Sequence, residues 1–338
     1  MPVSVPAIRL CRDFYASCLR PVIPVTHAAG LLGGGSDVLG YDTERSTDHD
    51  WGPRATVFVA AADVDDVKRR ITGSLPDTFG GWPVRMGRDR RPLTHHVEVT
   101  TLPRWTTQHL GVDPQQELTA IDWLLIPQQR LLGVTQGAVF ADPVGSLAAV
   151  RDRLRWYPDD VWWWMLACQW RRLAQEEAFV QRTDEVGDAV GPRVVTARLV
   201  RDAMRLALLM QHRCAPYIKW LGTAFSHQPD VDGLGQRLAE ALDGTDLVRR
   251  EAALCDAFSA LARRFKDLGG GDDLDPAPRR FHDRPALVLD ADRFARSSLR
   301  HVSDETLRRM PLVGSVDQLA DTTDLLNDPQ SCRELGGF

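Results

Sequence analysis

The part of the sequence that suggests chemistry is a glycine run that ends in serine and is separated by eleven residues from two closely spaced aspartates. Residues 33–36 read Gly-Gly-Gly-Ser, and Asp48 and Asp50 flank His49. Glycines allow the backbone to approach a phosphate closely, and a helix that began at Ser36 would add free N–H groups and a hydroxyl. Paired carboxylates supply the oxygen ligands that Mg²⁺ prefers when it bridges to phosphates. The pattern therefore indicates a metal and triphosphate site.

The aspartates need an element that aims both side chains at one place. We predict a strand from about Asp48 to Val59, followed by a helix from Val64. Because side chains alternate along a strand, Asp48 and Asp50 would then share one face. Two carboxylates on one face repel each other unless a cation lies between them.

A two-metal site needs a third carboxylate, and Glu98 is the best candidate. It is the one acid in the strand-like segment His95–Leu102, which reads HHVEVTTL. Val97 and Val99 would face the core, so Glu98 would lie on the opposite face. If it does not contribute, the acids Glu176 and Glu177 are the next candidates for a catalytic base.

Two kinds of sequence follow each other along the chain. Up to about residue 145, short strand and helix patterns alternate; the rest of the chain carries long stretches of helical periodicity. We therefore predict an α+β fold: a mixed-sheet domain over residues 1–145 with flanking helices, and a mostly helical, substrate-binding domain over residues 146–338. The end of the chain includes a short strand candidate, Ala286–Leu289, but its role is not evident from the sequence.

Composition excludes several classes of protein. The 338 residues are 43% hydrophobic and 26% charged, as in ordinary globular proteins. The six cysteines form no CxxC pair, which argues against a zinc site or a disulfide framework. Neither a signal peptide nor a membrane span is evident, so we expect a cytoplasmic protein with no membrane partner. A net charge of −5 makes nucleic acid an unexpected partner.

The same residues resemble a known fold family. Gly-Ser, an Asp-x-Asp pair and a distal acidic strand residue are similar to the pattern of the nucleotidyltransferase fold of polymerase beta and kanamycin nucleotidyltransferase. The segments GGGSDVLGYDTERSTDHDWGPR, LACQWRRLAQEEAFVQRTDEVGDAVG and APYIKWLGTAF also resemble an uncharacterised bacterial family of unknown function with such a front half. This likeness runs over nearly the whole chain. His49 departs from the fold's usual apolar residue between the aspartates.

The resemblance implies roles for individual residues. Gly35 and Ser36 would hold the β and γ phosphates of a nucleoside triphosphate. Asp48 and Asp50 would bind two Mg²⁺ ions, and Glu98 would bind one of them and take the proton of the attacking hydroxyl. The implied activity is transfer of a nucleoside monophosphate, with AMP from ATP as the expected case, to a hydroxyl of a small molecule.

Two other functions stay open at this point. One is nucleotidylation of a protein or an RNA end, and the other is nucleotide binding without catalysis. The acceptor, the base of the nucleotide and the oligomeric state are not specified by the sequence.

Several further residues have both a functional and a structural interpretation. Lys219, between aromatic residues after Pro216, is a candidate to reach the triphosphate, although a lysine that covers a packed turn is the plainer interpretation. The tryptophan run 162–164 predicts packing in a helical core. The stripe of Arg198, Arg201 and Arg205 predicts a solvated helix face.

Overall fold

The predicted α+β class is confirmed. The computed structural model describes residues 6–48, 51–86 and 93–335, and in this part of the chain a five-stranded mixed sheet with flanking helices precedes a mostly helical part. None of the helices described there is long and apolar enough to cross a membrane.

The chain divides into two compact units. The front unit comprises Met1–Asp122, Ile126–Arg155 and Asn327–Phe338, and the helical unit comprises Trp123–Leu125 and Trp156–Leu326. These units do not coincide with the boundary predicted at residue 145. The helix Ser146–Arg153 and the last segment of the chain belong to the front unit, where Arg333 donates to Asp122 at 2.8 Å.

The regular elements are numbered in chain order. The helices are α1 (Ala7–Phe14), α2 (Ser36–Leu39), α3 (Val64–Ser74), α4 (Leu102–Leu110), α5 (Ala120–Leu125), α6 (Gln128–Thr135), α7 (Ser146–Arg153), α8 (Asp159–Glu176), α9 (Phe179–Glu185), α10 (Gly191–Met210), α11 (Ile218–Ser226), α12 (Leu234–Asp243), α13 (Leu247–Asp267), α14 (Asp292–Leu299), α15 (Glu305–Arg309), α16 (Val316–Leu319), α17 (Thr323–Leu326) and α18 (Pro329–Leu335). The strands are β1 (Ala28–Leu31), β2 (Arg54–Phe58), β3 (Thr78–Phe79), β4 (Trp82–Pro83), β5 (Arg85–Met86), β6 (Thr94–Thr100), β7 (Ala138–Ala141), β8 (Arg279–Arg280) and β9 (Leu287–Val288). A π-helical turn, Tyr15–Leu19, continues α1, and a 3-10 turn spans Glu44–Asp48.

The main sheet has the strand order β5-β6-β2-β1-β7. Strands β1 and β2 are antiparallel, whereas β2 and β6 are parallel and are joined through α3. In register, Thr56 of β2 lies opposite both Gly30 of β1 and Glu98 of β6. Directly opposed residues point to the same face, so these three positions share one side of the sheet.

The other side of the sheet forms a hydrophobic core. Alternation in β2 and β6 places apolar side chains on this side, and α1 and α3 cover them. The core includes Phe14, Ala55, Val57, Val67, Ile71, Val97 and Val99. The prediction that Val97 and Val99 face the core while Glu98 lies on the opposite face is confirmed.

The helical unit is built around α8, whose tryptophans are buried. Trp162, Trp163 and Trp164 are 6%, 9% and 0% exposed, which confirms their predicted role in a helical core. Trp170 stacks on Phe294 of α14, with ring centres 4.8 Å apart. Buried aromatic side chains of this size supply much of the free energy of folding of such a core.

The segment after residue 270, whose role the sequence did not indicate, packs onto α8 and α10. Gln318 donates to the side chain of Gln169 at 2.9 Å and to the backbone carbonyl of Met165 at 3.0 Å. Arg201 pairs with Asp321, and the side chains of Arg201 and Arg205 are 14% and 11% exposed. The prediction of a solvated arginine face on α10 is therefore wrong for Arg201 and Arg205, which the end of the helical unit covers, whereas the side chain of Arg198 is 49% exposed.

The two acids that follow one another at the end of α8 are both engaged in structural contacts. Glu176 pairs with Arg198. The carboxylate of Glu177 accepts the N–H groups of Leu289 and Ala291 at 2.9 and 3.0 Å. Burial raises the pKa of Glu177 to about 7, although these N–H groups oppose the shift.

This pKa predicts how stability depends on pH. Because the folded protein holds the Glu177 proton more tightly than the unfolded chain, the stability from this group is complete below about pH 4.5 and is lost as the pH rises to about 7. We expect the difference in the free energy of unfolding between the wild type and Glu177→Gln to change by up to ~3 kcal/mol over this range. Urea unfolding of both proteins at several pH values measures it, and parallel pH profiles would contradict the shift.

Candidate functional site

The glycine run forms the loop between β1 and α2. Gly33 and Gly35 adopt φ angles of 92° and 130°, and α2 begins at Ser36, as the phosphate-loop interpretation required. With only four residues, α2 is a single turn, and its dipole is correspondingly small. Any affinity of this loop for an anion must come mainly from its individual N–H groups and the Ser36 hydroxyl.

Two contacts hold the loop in place, and the first of them explains why glycine is needed at position 35. A Cβ on Gly35 would lie 2.1 Å from the Oδ1 of Asp37, and the φ of Gly35 is in a region that only glycine adopts readily. On the other side of the loop, the Gly33 N–H donates to the carbonyl of Gly133 in α6 at 2.8 Å. Contacts with α6 and with Asp37 thus hold the loop in place.

Arg54, the first residue of β2, lies behind the loop. Its guanidinium donates to the carboxylate of Asp37 at 2.7 and 2.9 Å and to the backbone carbonyls of Leu32 and Gly34 at 3.2 and 2.9 Å. Burial acts to lower the pKa of Arg54, but the adjacent Asp37 carboxylate raises it overall. The two charges largely cancel, so the pair supports the loop without adding a net charge.

Sequence reasoning missed this pair. Asp42, another acid close to the loop in sequence, instead accepts the N–H of Ala7 at the start of α1, at 3.1 Å. The signal that could have found the pair is the position of Asp37 directly after Ser36, where an acid in the first turn of a short helix can fold back behind the loop.

Ser36 keeps its side chain available. Its hydroxyl does not cap α2, and within the described residues it has no hydrogen-bond partner. The side chain is half-buried. A half-buried hydroxyl that has no hydrogen-bond partner within the described residues, and that lies beside a glycine loop, is well suited to donate to a bound oxyanion.

His109 is a second neighbour of the loop that sequence reasoning missed. A Cβ on Gly33 would lie 3.4 Å from its Nε2. Because Nδ1 lies 3.1 Å from the carbonyl of Trp105, which can only accept, Nδ1 carries the proton and Nε2 is the acceptor. Burial, together with the charge of Arg130, lowers the pKa of His109 to about 4, so the ring is neutral at physiological pH.

Glu98 lines a groove of about 590 Å³ beside β6. The side chain is exposed, yet the protein atoms around its carboxyl desolvate it and raise its pKa, while Trp105 and Arg104 act in the opposite direction. The other polar side chains of the groove are Asp65, Lys68, Thr94, His95, His96, Thr100, Arg104 and Gln108. Residues 33–36 are not among those that line it, so the structure, as far as it is described, does not bring Glu98 and the glycine loop into one pocket.

The predicted strand from Asp48 is wrong at its start. Asp48 ends the 3-10 turn Glu44–Asp48, and β2 begins only at Arg54. Gly52 and Pro53 explain the delay, because proline lacks the N–H that a ladder requires and glycine weakens a strand. The argument that alternation places Asp48 and Asp50 on one face therefore does not apply to Asp48.

The metal ligands themselves stay a prediction. His49, Asp50 and the side chain of Asp48 lie outside the described residues. In the part of the chain that is described, no three His, Cys, Asp or Glu side chains form a group that could hold a metal ion. A two-metal site at this position thus depends on the two aspartates.

Lys219 belongs to the helical unit. It is exposed in the first turn of α11, and its Nζ lies 5.0 Å from the centre of the Trp220 ring. This contact agrees with the plainer interpretation, a lysine that covers an aromatic side chain. Its role toward a nucleotide remains a prediction.

Comparison with known proteins gives two findings. Residues 123–221 match a family described as a domain of unknown function, DUF4037, which confirms over this segment the predicted resemblance to an uncharacterised family. Among solved structures, the chain is similar to a nucleotidyltransferase-like protein from Exiguobacterium sibiricum 255-15, at 14% identity and a TM-score of 0.32, covering 82% of this chain and 83% of that one. No curated protein matches the chain. The family description assigns no activity, so a function must come from the site.

Proposed function

We propose that the protein is a nucleotidyltransferase that moves a nucleoside monophosphate, AMP from ATP as the expected case, to a hydroxyl of a small molecule. The observation that carries this proposal is the loop at the carboxyl end of β1. There Gly35 adopts a glycine-only conformation, and the Ser36 hydroxyl has no partner within the described residues. A phosphate group is the ligand that such a loop fits best.

In the proposed complex, the Gly35 backbone and the Ser36 hydroxyl hold the β and γ phosphates. His109 is neutral beside the loop, so it does not add a positive charge and offers Nε2 as an acceptor for a hydroxyl.

Magnesium enters the proposal through the aspartates. Asp48 and Asp50, with Glu98 as a third ligand, would hold two ions, which supply charge neutralisation of the phosphates. Carboxylate oxygens suit this metal, but Glu98 alone among them has a described side chain, and it does not form a metal site by itself.

The reaction balances without any other reagent. The acceptor oxygen forms a bond to the α phosphorus, the bond to the bridging oxygen breaks, and pyrophosphate leaves. The hydroxyl proton passes to a base, and Glu98 is the candidate because a carboxylate with a raised pKa accepts a proton more readily near neutral pH.

Nucleotide binding gives the first test. ATP with Mg²⁺ is expected to raise the melting temperature, and Ser36→Ala should weaken ATP binding about tenfold without abolishing it, because the backbone donors of the loop remain. A thermal shift titration measures both effects. If millimolar concentrations of the four nucleotides produce no shift, the loop does not bind them and the proposal fails.

Glu98→Gln separates catalysis from binding. We expect the rate of transfer to fall by about 100-fold or more, because a proton acceptor is lost, while ATP binding changes little, because the phosphates are held by the loop. Initial rates and thermal shifts are compared in one preparation. Glu98→Asp, which keeps the carboxylate, should recover part of the rate; equal rates for wild type and Glu98→Gln would remove Glu98 from the mechanism.

The acceptor is found by screening. The protein is incubated with Mg²⁺, each nucleoside triphosphate and a panel of hydroxylated metabolites and antibiotics, and products are identified by mass. Labelling of added protein or RNA instead of a small molecule would favour the alternative function, nucleotidylation of a protein or an RNA end. Nucleotide binding with no product from any acceptor would favour a non-catalytic binding protein.

A further inference from the structure

Arg54 makes four hydrogen bonds to the glycine loop and to Asp37, which follows it. One guanidinium donates to the backbone carbonyls that precede and follow Gly33, those of Leu32 and Gly34, and to both carboxylate oxygens of Asp37. We propose that Arg54 is a positioning residue that fixes the glycine loop in its phosphate-binding conformation before the ligand arrives, and that it acts without contacting the ligand. This inference rests on the proposed function.

The direction of the peptide groups supports the proposal. In a trans peptide, the carbonyl and the following N–H point in opposite directions. Because Arg54 holds the Leu32 carbonyl, the Gly33 N–H points away from it, and this N–H reaches Gly133 at 2.8 Å. The Gly34 carbonyl is held in the same way, so the Gly35 N–H also points away from Arg54.

The Gly35 N–H has no partner within the described residues. A backbone donor that is turned outward and unbonded, next to the Ser36 hydroxyl, is what an oxyanion requires. Arg54 therefore determines which side of the loop presents donors and which side presents acceptors.

The ion pair with Asp37 already neutralises the charge of Arg54. Its side chain is 19% exposed and that of Asp37 is 12% exposed, and the bidentate contact between them is the strong form of an ion pair. If Arg54 instead contacted phosphate directly, Asp37 would compete with the ligand. Removal of the Asp37 charge should therefore weaken ATP binding if Arg54 positions the loop, and strengthen it if Arg54 contacts the phosphate.

Asp37→Asn and Arg54→Lys test this difference. For a positioning role, both variants should weaken ATP binding by about tenfold or more, because lysine cannot span the carboxylate and two carbonyls and asparagine loses one strong acceptor. Titration calorimetry of ATP with Mg²⁺ measures the dissociation constants. Arg69→Lys, in an exposed pair with Asp66 on α3, is the matched control and should bind as the wild type does. Equal or tighter binding by Asp37→Asn would overturn the proposal.

Amide hydrogen exchange without nucleotide keeps this inference separate from the proposed function. In Arg54→Lys, the Gly33 amide, which is bonded to the carbonyl of Gly133, should exchange about tenfold faster or more than in wild type, while the amides of α3 and β6 are unchanged. If wild type fails to bind nucleotide but the loop still loosens, the function is wrong and the positioning role stands. Unchanged exchange in Arg54→Lys means that Arg54 does not fix the loop. If Arg54→Lys does not fold, the same two measurements on Asp37→Asn decide.

Discussion

Asp48→Asn and Asp50→Asn are each expected to lower nucleotidyl transfer by at least ~100-fold. A metal ion at a phosphoryl group supplies several kcal/mol of transition-state stabilisation, and each ~1.4 kcal/mol lost is a factor of ten in rate. An amide has the size of a carboxylate but lacks its charge, so it binds Mg²⁺ poorly. Initial rates at saturating ATP and Mg²⁺, with the screened acceptor, measure the loss.

Asp42→Asn is the matched control for these variants. Asp42 lies close to both residues in sequence, but its carboxylate accepts the N–H of Ala7 at the start of α1. Asparagine can keep that bond, so turnover should stay close to that of wild type. Near wild-type turnover in Asp48→Asn or Asp50→Asn would show that the aspartate concerned is not a metal ligand of the reaction.

Gly35→Ala is expected to remove nucleotide binding and to destabilise the front unit. At φ 130° a side chain costs ~1–3 kcal/mol in backbone strain, and the added methyl group would also meet the Oδ1 of Asp37 at 2.1 Å. Relief of this clash requires the Asp37 carboxylate to move away from Arg54. We expect a lower midpoint of urea unfolding and no thermal shift with millimolar ATP and Mg²⁺.

Gly34→Ala provides the comparison within the same loop. The φ of Gly34 is outside the left-handed region, and a Cβ built there meets no atom within 4 Å. This variant should keep nearly the stability of wild type and a measurable shift with ATP. Equal behaviour of the two variants would mean that the loop is not held as the contacts of Asp37 and Arg54 indicate.

The sequence contained the information for much of the fold. Periodicity located α3 and the strand β6, because each of these elements buries one regular face. The same alternation correctly oriented Glu98 away from Val97 and Val99. The glycine loop was recognisable because a glycine run that ends in serine precedes two closely spaced aspartates.

Other features depend on contacts that alternation does not encode. Strand β2 begins at Arg54 because Gly52 and Pro53 interrupt the ladder, and that shift removed the basis for pairing Asp48 with Asp50 on one face. The partner of Arg54 depends on a short helix folding Asp37 back behind the loop. The buried state of Arg205 depends on a segment more than 100 residues later in the chain, whose carbonyl at Asp317 accepts from it.

The position of a radioactive label in the products tests nucleotidyl transfer most directly. The protein is incubated with Mg²⁺, the screened hydroxylated acceptor and ATP labelled at either the α or the γ phosphorus, and the products are separated. Transfer of AMP predicts that the α label appears in the acceptor and the γ label in pyrophosphate, and that neither product forms with Asp50→Asn. A γ label in the acceptor, or product formation that Asp50→Asn leaves unchanged, would contradict the assignment.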